Sequence, residues 1–303
     1  MMERLKNLVL LNGTLKSEKI YKSETLYQGM NGKLVERFYL SPTESYIFKP
    51  LTNNGQLGKE VWVYEHVLPA FPEIYPKLLA CSVAEKLDEN WMIFEDLGSL
   101  DHDFQEDTVL EVVRLMAGWH SLSVEGMVGL PVTGLKPKME HILLELTEKR
   151  VLVQDLGIEE IFPLLDGVNF SKKLVLSHGD LHIGNIASAG EKVVVLDWEH
   201  THLNAPYWDL YHLLDLAHPI FPKQVPHPFR ELALKTYCDH AGIADEAFIR
   251  EYYLFSAAFS IWMLLLIRSD LDSGQKKWPR EQLEAQFEET VATLRDCIGA
   301  LLN

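Results

Sequence analysis

The chain is poor in several things at once. Its 303 residues include only three cysteines, Cys81, Cys238 and Cys297, at unrelated spacings and with no Cys-x-x-Cys pair. That argues against a disulfide framework or a zinc ribbon. Basic residues are also few, 28 Lys and Arg against 44 Asp and Glu, for a formal charge of −16. With no basic run of useful length there is no face for phosphate-backbone binding, so a nucleic-acid partner is not expected, and an anionic membrane surface is disfavoured for the same reason. Long apolar runs are missing too. The longest uncharged stretch, Tyr252 to Ile267, has 16 residues and reads as a buried core helix rather than a membrane span. The start, Met1-Met2-Glu3-Arg4, lacks the basic-then-apolar order of a secretion signal, and the expected location is cytoplasmic. Internal repeats and low-complexity segments do not stand out.

What is present is an ordinary globular composition, 47% hydrophobic and 24% charged, at a length suggesting about two domains. The first hundred residues read as strand, turn, strand, strand, helix, strand. Ile20 to Gln28 and Lys33 to Leu40 flank a Gly29-Met30-Asn31-Gly32 turn, Tyr46 to Lys49 is a short strand ended by Pro50, and Trp91 to Phe94 is a buried strand. A helix opens at Gly58-Lys59, with Val61, Tyr64 and Leu68 on one face and Pro69 and Pro72 closing it. After Gly98 the period becomes helical, with helices over Thr108 to Leu122 and about Met139 to Val151. A short all-β insert follows over Leu174 to Leu176, Ile183 to Ala187 and Val193 to Leu196, and helices return from Trp208 to the end with a break at Pro219 to Pro228. The expected fold class is therefore α+β, a small β-rich lobe over 1–98 and a larger helical lobe over 99–303, with a small-molecule site expected between them. The acid is unevenly spread: residues 1–98 hold 11 basic and 13 acidic side chains, net −2, and the remainder 17 and 31, net −14.

The segment that carries chemistry is Ser177-His178-Gly179-Asp180-Leu181-His182-Ile183-Gly184-Asn185, followed twelve residues later by Asp197-Trp198-Glu199. Phosphoryl transfer from a nucleotide needs a carboxylate to orient the attacking hydroxyl, oxygen ligands for Mg²⁺ and a cation on the phosphates. Asp180 and Asn185 have the spacing of the base and the metal-binding amide of a protein-kinase catalytic loop, and Asp197, at the end of the next strand, takes the second metal position.

On these residues the sequence resembles the aminoglycoside phosphotransferase and choline kinase superfamily, the small-molecule branch of the protein-kinase-like fold. The superfamily signature, H-G-D-[LI]-x-x-x-N followed by a strand ending I-D-[WF]-E, is similar to His178 through Asn185 and Leu196 through Glu199. Pro206-Tyr207-Trp208-Asp209-Leu210 resembles the P-x-x-D-L helix start, whose aspartate braces the catalytic loop, and Met116 through His120 resembles the A-x-L-H helix end.

The resemblance implies an ATP- and Mg²⁺-dependent transfer to a hydroxyl of a small-molecule acceptor. Asp180 would be the catalytic carboxylate, with His178 and Asp209 supporting its loop, and Asn185 and Asp197 would hold Mg²⁺. It also implies that Lys49 contacts the phosphates and pairs with Glu60, in preference to the rival Glu65. Backbone groups near Phe94 and Asp96, in Glu95-Asp96-Leu97-Gly98, would bond adenine. Gly29 and Gly32 would form a phosphate-covering loop or serve simply as a hairpin turn. A cationic acceptor, as in choline and aminoglycoside relatives, could be held by Glu199, Trp198, Tyr207 and Trp208, with Tyr207 and Trp208 more often structural. The acid excess of the second part favours such an acceptor.

Two other readings stand beside this one. The first is a non-catalytic binding or structural protein on the same scaffold, as among the superfamily's spore-coat relatives. The second rests on six histidines, His178, His182, His200, His202, His212 and His218, within 41 positions: Gly179-Asp180-Leu181-His182 is similar to the G-D-x-H element of dinuclear metallophosphatases. The G-N-H-[DE] element of those enzymes is not matched, since Gly184-Asn185 is followed by Ile186.

Overall fold

The computed structural model describes residues 2–29, 31–125, 127, 129–273 and 278–302. Two compact units form: residues 1–101 with 187–200, and residues 102–186 with 201–303.

The first unit opens with α1 (Met2–Lys6) and a five-stranded antiparallel sheet. Its strands are β1 (Lys22–Gln28), β2 (Leu34–Ser41), β3 (Glu44–Pro50), β4 (Leu78–Ser82) and β5 (Trp91–Glu95), in spatial order β1-β2-β3-β5-β4, with α2 (Lys59–His66) between β3 and β4 in sequence. Strand alternation sends Phe48 to a buried face shared with Phe38, Trp91, Ile93, Leu5 and Leu8, and leaves its neighbour Lys49 on the opposite face. The sequence pattern misses β4, whose Ala80, Cys81 and Ser82 lack the β-branched and aromatic enrichment that marks β2 and β5.

The second unit begins with α3 (Glu106–His120), whose Val109, Val112, Val113, Met116 and Trp119 are all buried, then α4 (Met139–Glu148), α5 (Ile161–Leu165) and the short strand β6 (Val175–Ser177). Ile183 to Asn185, expected as strand, is a 3₁₀ turn, and β7 (Ile186–Ala189) starts after it. The chain turns at Gly190 into β8 (Lys192–Val195), and this hairpin belongs to the first unit from Ala187 onward. The division thus differs from a single cut after Gly98. The reason is local: Ser188 exchanges both backbone bonds with Asp101 at 2.8 and 3.0 Å, Val195 N–H donates to Ile74 O at 2.6 Å, and the fully buried Trp198 packs edge-on against Phe71.

From Thr201 the chain is in the second unit again. There β9 (His202–Asn204) pairs antiparallel with β6, followed by α6 (Tyr207–Leu214), α7 (His227–Ala241), α8 (Asp245–Ser273) and α9 (Arg280–Leu302). By length and composition α8 could cross a membrane, yet 67% of its most apolar window is buried, and it packs along α9 and against α4 and α7. At its centre Asp215 accepts from Arg230 Nε at 2.7 Å and from Tyr252 and Ser256 hydroxyls at 2.6 Å, so the buried charge is fully matched. The three cysteines are free thiols.

Two glycines of the first unit separate backbone conformation from space. Gly13 and Gly190 have φ of +69° and +64°, but a Cβ on Gly13 would stand 1.8 Å from Asp88 O whereas one on Gly190 would meet nothing within 4 Å. Gly190→Ala is expected to cost about 1 to 2 kcal/mol from the left-handed backbone alone, and Gly13→Ala more than about 3 kcal/mol because backbone must also move. Urea melts of the two variants check this, and equal losses would show that the Gly13 turn relaxes freely.

Candidate active site

In the first unit, β3 presents Lys49 to a group of carboxylates. Its Nζ donates to Glu60 Oε2 at 2.6 Å, on the first turn of α2, and to Asp197 Oδ1 at 2.8 Å, just beyond β8. Glu65 is exposed and takes no part. Glu199 joins the group, with one oxygen of each of Glu60, Asp197 and Glu199 within 4.8 Å of the others. Burial disfavours charge on Lys49, but Asp197, Glu60 and Glu199 together hold its pKa well above the ordinary range. Burial and the neighbouring Asp197 and Glu199 push Glu60 up to about 7, with Lys49 pulling the other way. Three carboxylates facing one ammonium leave an excess of negative charge, and their hard oxygens are the donor set that Mg²⁺ accepts. Asp197 is also the one described non-glycine residue with positive φ, 61°. Such backbone strain recurs at functional positions.

The second unit holds the loop after β6. Asp209, fully buried on the first turn of α6, accepts from Ser177 Oγ at 2.7 Å, His178 N–H at 2.8 Å, Gly179 N–H at 3.1 Å and His120 Nε2 at 3.1 Å. Burial opposes its ionisation, but His120 and the other donors outweigh this and hold it below the usual carboxylate range. Gly179, at φ +89°, makes the turn that follows. Its carbonyl accepts from Trp208 Nε1 at 3.0 Å. Asp180 comes next and is only half-buried. Asn185 Nδ2 donates to Asp180 O at 2.8 Å, which closes the loop on itself and fixes the amide whose oxygen is the candidate metal ligand. His182 Nε2 lies 3.8 Å from Asp180 Oδ2, and its ring stacks on His218 and Phe221. Gly184 is flush with Phe221, since a Cβ there would stand 2.3 Å from the ring.

Gly29 and Gly32 close the β1–β2 turn through a 2.9 Å bond from Gly32 N–H to Gly29 O, and Met30 between them lies outside the described residues. A Cβ on Gly29 would meet Thr52, which lines a cavity with Lys49, Glu60 and Glu199. Phe94 is buried in β5, and the Asp96 side chain is consumed by the fold, accepting from Ser45 Oγ at 2.7 Å and Gly98 N–H at 2.9 Å and pairing with Arg37 at 2.7 Å.

Of the residues suggested for a cationic acceptor, Trp198 and Glu199 lie in the first unit and Tyr207 and Trp208 in the second. Trp198 is core, donating to Val195 O at 3.1 Å, and Glu199 stands with Glu60 and Asp197 near Lys49. Tyr207 is 2% exposed and packs on Phe248 and Phe255. Trp208 already carries a cation of the chain itself: Lys136 Nζ stands 5.8 Å from its ring centroid. The metallophosphatase reading fares no better. Among the described residues the group able to gather three metal ligands contains no histidine, His178 is buried, and His212 donates from Nδ1 to Trp208 O at 2.7 Å.

Sequence reasoning missed the bracing contact of His120 with Asp209, although the residue itself lay in a recognised helix end. Lys136 gave no signal at all, being one of two lysines, with Lys138, in a Pro- and Gly-containing connection.

An α+β fold in which a β-sheet unit supplies a lysine and carboxylates, and a helical unit supplies an Asp-x₄-Asn loop, defines the class of kinase-like phosphotransferases. The family model described as phosphotransferase enzyme family matches residues 68–252, and the chain belongs to that family of small-molecule kinases. No curated protein matches the sequence. Among solved structures, choline kinase from Cryptosporidium parvum Iowa II is similar at a TM-score of 0.61 and 12% identity, covering 99% of this chain and 96% of that one. A choline/ethanolamine kinase family protein from Mesorhizobium loti is similar at 0.58 and 14%, covering 94% of each. A spectinomycin phosphotransferase in complex with ADP and spectinomycin is similar at 0.58 and 14%, covering 97% and 96%. At these identities the likeness establishes the fold.

The site predicts two stability effects. Glu60 is held at about 7 in the folded chain against an ordinary 4.5, so between those values the folded state carries the extra proton. Stability in metal-free buffer is therefore expected to fall as pH rises from 5 to 7.5, and Glu60→Gln to flatten that fall; an unchanged slope in the variant would put its origin elsewhere. Asp209→Asn, which leaves charge-assisted donors facing an amide, is expected to cost roughly 3 to 5 kcal/mol in denaturant melts. A loss below about 1 kcal/mol would remove Asp209 as the brace of the loop.

Proposed function

We propose that this protein is an ATP- and Mg²⁺-dependent kinase of the cytoplasm that transfers the γ-phosphoryl group to a hydroxyl of a small molecule. The observation that carries the reading is the Asp180 loop, held by the buried Asp209 and closed by Asn185. In the reaction the acceptor hydroxyl oxygen forms the new bond to the γ-phosphorus. The bond to the β–γ bridging oxygen breaks, that oxygen leaves on ADP, and the hydroxyl proton passes to the Asp180 carboxylate and then to solvent. Asp180 orients the hydroxyl, and Lys49, fixed by Glu60, binds the phosphate oxygens of the nucleotide.

Asn185 and Asp197 are the residues that would hold Mg²⁺, and the crowding of Asp197 by Glu60 and Glu199 supports a divalent cation there. Asn185 immediately precedes the first strand of the β7–β8 hairpin and Asp197 follows the second by two residues. When bound, the ion neutralises charge on the phosphoryl oxygens. Most of the rate gain comes from positioning and charge neutralisation, since no covalent intermediate is needed.

The acid excess of residues 99–303 and the resemblance to choline and aminoglycoside kinases suggested a cationic acceptor. Of the residues suggested for it, Trp198 and Tyr207 are interior, Glu199 stands with Glu60 and Asp197, and Trp208 has Lys136 over its ring.

The test is a pair of variants with ADP release and nucleotide binding both measured. Asp180→Asn is expected to bind Mg·ATP nearly as the parent does and to lose roughly 10²- to 10⁴-fold in kcat, whereas Asp197→Ala is expected to lose Mg·ATP affinity. Equal loss of nucleotide affinity in both would falsify the role assignment. Binding of ATP with no turnover across a broad panel of alcohols would favour the non-catalytic reading.

A further inference from the structure

Lys136 lies in the irregular connection before α4, and this connection is fixed against β9. Leu203 N–H donates to Pro131 O at 3.0 Å, and Gly134 is pressed so closely on His202 that a Cβ would stand 2.6 Å from the imidazole. The half-buried lysine reaches two aromatic faces, with Nζ 5.8 Å from the Trp208 centroid and 5.6 Å from that of Phe259, and donates to His212 Nε2 at 3.0 Å. His212 can accept there because its Nδ1–H is given to Trp208 O at 2.7 Å. Trp208 in turn donates to Gly179 O, the carbonyl immediately before Asp180. The ammonium is thus one aromatic side chain removed from the catalytic loop.

A lysine in this setting is costly. Burial lowers its pKa, and the field of Asp180 is what opposes that shift. Among the described residues no carboxylate stands within ion-pair distance of Nζ, and an ammonium has three donors of which His212 takes one. At this partial burial, against two aromatic rings and an imidazole, the two remaining N–H donors are open to water or to a ligand. The other side chains about Asp180, His182 and His218, add no negative charge: burial and His182 lower His218 to about 3, so it is neutral.

We propose that Lys136 is a specificity-determining residue that pairs with a carboxylate on the acceptor, so that the substrate is a small hydroxy acid rather than a cationic alcohol; this rests on the kinase reading above. A single negative charge matches a single ammonium. A phosphate ester, with two charges and three acceptor oxygens, would call for more donors than this wall provides. The same ammonium repels choline-like and aminoglycoside-like acceptors, so it selects by exclusion as well as by attraction. Because the connection is clamped by Gly134 and Pro131, the pairing needs little reorganisation.

The experiment uses the full chain, ATP and Mg²⁺ with three matched sets of acceptors: glycerate, 4-hydroxybutyrate and gluconate; glycerol and glucose; choline, ethanolamine and kanamycin. ADP release and thermal stabilisation by each compound are read for the parent and for Lys136→Gln. The hydroxy acids are expected to give the highest kcat/KM. The ratio of hydroxy-acid to neutral-alcohol kcat/KM is expected to fall about 10- to 100-fold in Lys136→Gln, the worth of a hydrogen bond to a charged group. Lys136→Glu is expected to move the preference toward the cationic set. Preference of the parent for the cationic set overturns the proposal, as does an equal loss for all acceptors in Lys136→Gln, which a merely structural lysine would produce. If no acceptor is phosphorylated, the kinase reading fails and thermal stabilisation decides the lysine separately. Hydroxy acids that stabilise the parent and not Lys136→Gln uphold it, and hydroxy acids that stabilise neither overturn it.

Discussion

The ionised carboxylate of Asp209 is the constraint on which the catalytic loop depends. A charge this deeply buried is tolerated only if its lone pairs are filled, and here two backbone amides, a serine hydroxyl and an imidazole fill them. Those donors come from β6, the loop after it and the end of α3, while the acceptor sits on the first turn of α6. One interaction therefore fixes three elements together. The chain can then turn sharply at Gly179 and present Asp180 from a backbone that has no freedom to withdraw it. Trp208, on the same turn of α6, repeats the tie from the other side through the Gly179 carbonyl. Preorganisation of this kind spares a reorganisation cost at the moment of reaction.

The group around Lys49 follows the opposite logic. Asp209 is saturated, whereas Glu60, Asp197 and Glu199 crowd round one ammonium, and burial, with the charges of Asp197 and Glu199 added to it, pushes Glu60 up. An added cation would relieve that crowding. The left-handed backbone at Asp197 fits the same picture, since an aspartate tolerates that conformation better than most residues and the hairpin before it dictates where the carboxylate falls. Saturation gives rigidity and crowding gives affinity for a ligand, and the protein uses one in each unit.

Which parts were legible in the sequence follows from the range of the determining contacts. Asp180, Asn185 and Asp197 announce themselves because their spacing is set by one loop and one hairpin, all within 18 residues. The lysine and glutamate of the first unit are legible by order along the chain, and alternation on β3 explains why Lys49 and Phe48 face opposite ways. Burial was legible along the α3 stripe and over Tyr252 to Ile267, but not at every candidate residue. Trp198 and Tyr207 have the composition of a ligand cage but are packed against Phe71, Phe248 and Phe255, residues more than 40 positions away. Strand β4 was missed because Ala, Cys and Ser carry little strand signal, and its place is dictated by pairing with β5. Lys136 was invisible for the same reason: its meaning comes from Trp208, His212 and Phe259, which only folding brings to it.

Net charge illustrates how a sum can point away from the local field. Residues 1–98 are near neutral and the rest strongly acidic, which suggested a polyanion on one side and a cationic acceptor on the other. Lys49 is in fact surrounded by three carboxylates, one from the first hundred residues and two that the hairpin returns to that unit. On the acid-rich side, Asp209 is committed to its donors and Asp215 to Arg230, Tyr252 and Ser256, so neither offers charge to a ligand. The exposed Asp155 is paired with Arg268 and screened by solvent besides, and the half-buried Glu145 is paired with Lys149 and accepts from Trp262. The charge that a bound ligand meets is set by the few groups sharing its low-dielectric surroundings, not by the sum over the chain.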